Sequence, residues 1–219
     1  MAAVYEDGFR LYRKLEKGEF FVCFGDTAQG GVDKNFTQFG SKTKMDIPLV
    51  MSMHGVAAMA TPYIHQALEW IFDQTGVRPV FAFERQNGGA SEMHNLYMMN
   101  KNNKYTLYQT KRFGSEQNAL TDTAERWGWD TNTVTRPKML GDWKVAYEAK
   151  QIKLYDKETL EHHQTFIVNK NGKPEADSGQ HDDGVMSCAG WYQLYMSEHA
   201  PMSDFDDVEQ YQQLTSFGL

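Results

Sequence analysis

No run among these 219 residues approaches 18 consecutive apolar side chains, so no segment reads as a membrane span. Residues 1–18 carry charges and no apolar stretch, which excludes a secretory signal there. Cysteine is scarce: the 2 present, Cys23 and Cys188, make no disulfide framework. Both sit among apolar neighbours and read as small buried hydrophobes in a reducing compartment. Positive charge is in deficit. The 22 Lys and Arg face 29 Asp and Glu, and a net charge of -7 argues against a protein that coats nucleic acid through basicity. No Gly-x-x-x-x-Gly-Lys-Ser/Thr loop occurs, which excludes ATP hydrolysis by a P-loop. Ser91 and Ser187 lack the context of a nucleophile elbow.

What is present suits one compact domain, because 41% hydrophobic and 13% aromatic residues suffice for a core. Charge is unevenly spread. Residues 101–153 hold ten Lys/Arg against six Asp/Glu, whereas residues 198–219 hold five acids and no Lys or Arg, as a solvated tail would.

The run Phe20–Phe24, closed by Gly25-Asp26, predicts a strand buried on both faces. Residues 27–35 are polar and glycine-bearing and read as a turn. Strands over Phe36–Phe39 and Ile47–Met53 complete an antiparallel meander. Thr61-Pro62 reads as a helix start and Gly76 as its stop. A strand over Pro79–Phe83 ends at Glu84, a helix covers about Ser91–Met99, and a fifth strand lies near Tyr105–Thr110. Residues 112–138 read as a loop anchored by Trp127 and Trp129. Leu140–Lys150 is weakly helical, Ile152–Tyr155 a short strand, and Asp156 caps a brief helix over 157–165. Phe166–Val168 and Asn171-Gly172 suggest a hairpin, and a last helix covers about Asp182–Ser197. This order predicts an α/β fold with a mixed five-stranded sheet, three antiparallel strands followed by parallel ones. The first strand is central and pairs with the fourth.

Parallel pairing of those two strands sets Asp26 and Glu84 side by side at their carboxyl ends, where open α/β sheets place ligands. His181-Asp182-Asp183 opens the final helix and supplies a third acidic group. Converging carboxylates at a buried rim repel one another, and a divalent cation removes that cost. Hard oxygen ligands favour Mg2+ or Mn2+ over zinc, and two such ions suit phosphodiester hydrolysis. Each acid alone also reads as a cap or a turn residue. Asp26-Thr27-Ala28 has no second copy, as an aspartic protease would need. His162 and His163, about 100° apart on a helix, read as surface residues rather than as a zinc site with His181.

Four stretches carry a resemblance: Gly25-Asp26-Thr27-Ala28-Gln29-Gly30, Phe83-Glu84-Arg85-Gln86-Asn87-Gly88-Gly89, Thr135-Arg136-Pro137-Lys138-Met139 and Gly179-Gln180-His181-Asp182-Asp183-Gly184-Val185-Met186. In order and spacing, the chain resembles the C-terminal nuclease domain of the large terminase subunit of tailed bacteriophages. The resemblance implies a ribonuclease H-like fold and a metal-dependent endonuclease that cuts concatemeric viral double-stranded DNA during genome packaging. It implies Mg2+ or Mn2+ at Asp26, Glu84 and Asp183, with Asp182 and Asp33 close by. Lys111, Arg112, Arg136 and Lys138 are candidates for the DNA backbone. The implied partners of the whole protein are an ATPase motor, a portal and a small terminase, in the host cytoplasm. Residues 1–18 then read as the end of an interdomain linker, 19–197 as a nuclease domain, monomeric when isolated, and 198–219 as an acidic tail. The rival expectations are a resolvase or ribonuclease H-type enzyme acting on another nucleic acid, and a non-catalytic module docking on portal or capsid.

Overall fold

A computed structural model of the chain describes residues 4–6, 8–110, 127–170 and 172–198. At its centre lies β3 (Phe21–Asp26), whose apolar run is buried on both faces as a central strand requires. It pairs antiparallel with β4 (Gln29–Ser41) and parallel with β6 (Val80–Phe83). β5 (Asp46–Val56) follows β4 antiparallel, and β7 (Thr106–Leu107) extends the other side in parallel. These five strands are the expected ones.

Three more enlarge the sheet to eight. β1 (Val4–Glu6) and β2 (Phe9–Leu11) form a hairpin that joins β5 through β2, and β8 (Lys153–Leu154) pairs with the start of β5. β2 therefore contributes to the sheet from within the stretch read as linker. Arg10 on β2 forms a buried two-pronged bond to Asp156, which is 2% exposed. Burial alone raises the Asp156 carboxyl, yet the hydrogen bonds from Arg10 and Tyr12 bring it below its ordinary value. That pairing stabilises the fold above the ordinary carboxylate range and is lost as pH falls through the lowered value. Arg10→Ala leaves Asp156 without its cation, while Glu158 keeps Lys34 at 2.6 Å. The expected cost is about 3–5 kcal/mol, read by urea unfolding at pH 7.

Helices cover both faces of the sheet. Phe21, Cys23, Phe81 and Phe83 point to the layer of α1 (Ala57–Thr75) and α2 (Gly89–Met99). The alternate residues Val22, Phe24, Val80 and Ala82 point to α3 (Thr135–Glu148) and α5 (Asp183–Ser197). Both cysteines are buried among these residues. A fifth helix, α4 (Lys157–Gln164), is capped by Asp156, whose side chain accepts the Thr159 N–H. β9 (Phe166–Val168) and β10 (Pro174–Ala176) make the expected hairpin. No described helix is long and apolar enough to cross a membrane.

Three expectations are corrected. β4 begins at Gln29, so residues 29–35 are strand rather than turn, with the register shifting between Gln29 and Lys34. α1 begins at Ala57 and holds Pro62 inside. The Thr61 hydroxyl lies 2.6 Å from a Glu92 carboxyl oxygen and 3.1 Å from the Ala57 carbonyl, its single proton serving these rather than a forward cap. α3 begins at Thr135, inside the expected loop, with Pro137 in the first turn, where its missing N–H costs nothing. Lys111, Arg112 and residues 199–219 lie outside the described residues.

Candidate active site

The two-residue period of a strand decides which way the first two acids face. Val22 and Phe24 point to the α5 layer, so Asp26 does too. Val80 and Ala82 set the same direction for Glu84, just past the end of β6. The Glu84 N–H donates to the Gly25 carbonyl at 3.0 Å, which locks the two acids in adjacent positions. On the other side Arg85 N–H donates to the Trp129 carbonyl at 2.9 Å. The chain then turns back so tightly that a Cβ on Gly89 would lie 1.7 Å from the Glu84 carbonyl oxygen. The Gly88-Gly89 pair thus holds Glu84 in place. Gly89→Ala is expected to cost about 1–3 kcal/mol in denaturant unfolding and to displace Glu84, reducing metal affinity in the same sample.

α5 brings the third acid. The Trp191 indole N–H donates to the Val22 carbonyl at 2.8 Å, and Gln38 donates to Ser187 at 3.2 Å. These contacts run α5 along β3 and β4 so that its first residue, Asp183, reaches the rim where β3 ends. Asp183 lies against the Lys34 backbone N–H, while its Oδ2 is buried with no hydrogen-bond partner.

Burial drives the Asp26 carboxyl well above its ordinary value, and the charges of Glu84, Asp183 and Asp182 raise it further. The Glu84 side chain is close enough to act on Asp26 both through its charge and as a side-chain neighbour, and both raise the Asp26 carboxyl. Asp183 is pushed up to about 6, first by burial and then by Asp182 and Asp33, with His181 acting the other way. Among the described residues no group of three His, Cys, Asp or Glu side chains is placed to hold a metal ion as the side chains stand.

The other predicted residues are placed as follows. Asp182 precedes α5 and lies 3.5 Å from the Arg136 guanidinium, which also donates to the Pro174 carbonyl at 3.0 Å. Asp33 is exposed, 3.6 Å from His181. Lys138 is exposed on α3 and pairs with Asp142, away from the carboxylates. Trp127 and Trp129 pack against the two cores as anchors. A cleft of about 1100 Å³ opens beside Glu84 between α3 and the β9–β10 hairpin, with Arg136, Lys144 and Lys173 among its lining.

The histidines of α4 correct the sequence reading. His162 is buried and accepts the Gly184 N–H at 2.9 Å. His163 accepts the Trp143 indole N–H at 2.8 Å. Burial lowers both imidazoles below the usual histidine value. His162 is buried and His163 half-buried at the edge of the cleft, because α4 turns this side toward Trp143 of α3 and the start of α5.

No protein-family model matches the chain, and no curated protein sequence matches it. Solved structures do. The large terminase nuclease of thermophilic phage G20c with bound magnesium aligns over 88% of this chain and 90% of its own, at 13% identity and a TM-score of 0.62. The large terminase nuclease domain of Thermus phage P74-26 aligns over 91% and 93%, at 13% identity and 0.59. The human cytomegalovirus terminase nuclease domain, soaked with manganese, aligns over 81% and 83%, at 12% identity and 0.53. The chain has the terminase-nuclease fold. This is the ribonuclease H-like α/β arrangement expected above, with helices on both faces of a mixed sheet.

The donors at the rim are hard carboxylate oxygens of the kind that suits a divalent cation, and one of them, Oδ2 of Asp183, is buried and accepts no hydrogen bond.

Proposed function

We propose that this chain is the nuclease domain of a viral large terminase, cutting double-stranded DNA by metal-dependent phosphodiester hydrolysis during genome packaging. The observation that carries this reading is the gathering of buried Glu84 and partly buried Asp26 and Asp183 at the end of β3 on this fold, where neighbouring acids raise the Asp26 and Asp183 carboxyls. Such a set costs the folded protein stability and gains a purpose only with cations present. The residues that would hold Mg2+ or Mn2+ are Asp26, Glu84 and Asp183. A pair of divalent ions there supplies a lowered water pKa and neutralises charge on the scissile phosphate.

The remaining roles belong to side chains. Oδ2 of Asp183, which accepts no hydrogen bond, favours it over Asp182 as direct ligand. Asp182 instead holds the Arg136 guanidinium at the mouth of the cleft, oriented toward a phosphodiester backbone. Lys138 remains a backbone contact of lesser weight, since Asp142 already pairs with it. Duplex DNA is the substrate, and the partners this reading implies are an ATPase motor, a portal and a small terminase.

The experiment is a cleavage assay with Mn2+ on supercoiled plasmid, a four-way junction and an RNA–DNA hybrid. Plasmid cutting that stops with EDTA is the expected result. Preferential cutting of the junction or the hybrid moves the assignment to a resolvase or ribonuclease H-type enzyme. No metal-dependent cutting of any substrate overturns the nuclease reading in favour of a docking module.

A further inference from the structure

The N-terminus of α5 is capped in an unusual way. A helix normally has its preceding side chain accept the N–H of the second or third residue. Asp182 occupies that preceding position and makes no side-chain cap bond. The second residue, Gly184, donates its N–H instead to Nδ1 of His162, from α4. Val185 and Met186 donate to the Asp182 backbone carbonyl at 2.8 and 2.9 Å. Since a backbone N–H can only donate, Nδ1 must be the bare nitrogen and Nε2 must carry the proton. The approach is close: a Cβ on Gly184 would lie 2.8 Å from that nitrogen.

An aspartate before a helix has a strong pull toward capping it. Were Asp182 to cap α5, its carboxylate would turn back onto the helix and away from Arg136. Here the imidazole satisfies the N–H, so Asp182 remains 3.5 Å from Arg136 and Oδ2 of Asp183 accepts no hydrogen bond at the rim, with His181 Nδ1 3.9 Å away. We propose that His162 is a positioning residue: by capping α5 from α4, it releases Asp182 from that duty and fixes Asp183 in place to bind the divalent cation. The inference rests on the nuclease reading above, and it assigns to a buried imidazole a part in metal affinity without direct contact with the metal.

Two substitutions separate the acceptor from mere packing. His162→Asn keeps an acceptor the same two bonds from Cβ but loses ring volume. His162→Phe keeps the ring and loses the acceptor. Mn2+ binding is measured by calorimetry at pH 7.5 on the full chain, with thermal unfolding of the same samples. His162→Phe is expected to weaken Mn2+ binding about tenfold or more, the usual scale for a supporting contact behind a metal ligand. His162→Asn is expected to stay within about threefold of the parent, even if it melts lower. Gly184→Ala, which keeps the imidazole but pushes it away, is expected to show the same loss as the phenylalanine variant and stands in for it if that variant does not fold. Parent-like binding in both His162→Phe and Gly184→Ala overturns the inference. So does equal loss in His162→Asn and His162→Phe, which would mean that packing alone matters. Absence of Mn2+ binding in the parent overturns the nuclease reading itself, a separate outcome from either.

Discussion

Asp26→Asn is expected to lower Mn2+-dependent plasmid cleavage about a thousandfold while raising the melting temperature of the metal-free protein. The first effect follows from the position of Asp26 between Glu84 and the start of α5. Cations at such a site contribute several kcal/mol to the barrier, and about 4 kcal/mol is a factor of about a thousand. The second effect follows from the state of the site without cations. The Asp26 carboxyl is raised by burial and by three neighbouring acids, so its ionised form opposes folding. An amide keeps the shape and removes the charge. A structural carboxylate would behave oppositely, and its loss would lower stability. Rate and melting temperature moving in opposite directions is therefore the signature of an acid kept for metal.

Saturating Mn2+ is expected to raise the melting temperature of the parent at pH 7.5 by about 5–10 °C. At a hundred times its dissociation constant a ligand contributes about 2.7 kcal/mol, and each kcal/mol is worth about 2–4 °C in a chain of this length. The shift should shrink as pH falls below 6. Asp183 titrates near 6, raised from an ordinary 3.8, so protons compete with the cation there, at about a tenfold loss of affinity per pH unit. The sign for the metal-free protein is the reverse. A raised carboxyl costs nothing below 3.8 and its full amount above about 6, on the order of 3 kcal/mol. Asp183→Asn should therefore stabilise the metal-free protein at pH 7.5, bring little gain near pH 4, and abolish the Mn2+ shift. Comparing variant with parent at each pH matters, because His162 and His163 carry the opposite trend: their lowered values favour the fold above the ordinary 6.5, and that support is lost as pH falls through the lowered values. The Mn2+ titration by differential scanning calorimetry reads all of these.

The centre of the fold is legible because burial writes itself as continuous apolar sequence. Phe21–Phe24 and Val80–Phe83 are short runs without polar interruption, and each ends in an acid that the parallel pairing sets beside the other. The hairpin at 166–176 and the cap at Asp156 are equally local, so they too read correctly. Illegible features depend on partners distant in sequence. Residues 29–35 look like a turn because of Gly30, Gly31 and their polar neighbours, yet β5 offers them a pairing edge. Pro62 looks like a helix start because a proline inside a helix costs a hydrogen bond, but α1 begins earlier and holds it. Arg10 looks like a linker charge until Asp156, 146 residues away, is seen beside it. His162 and His163 look exposed because the local sequence around α4 is polar, and only the packing of α4 on α3 and α5 covers them. The third acid reads as a companion of the other two from its place at the start of the last helix, and the resemblance singles out Asp183 there. No local pattern says that the start of α5 returns to the end of β3.

The most direct measurement is anomalous scattering from crystals soaked in Mn2+ at pH 7.5. Anomalous density among the carboxylates of Asp26, Glu84 and Asp183, and none in crystals of Asp26→Asn, is the result expected here. A soak that leaves this rim empty would contradict it.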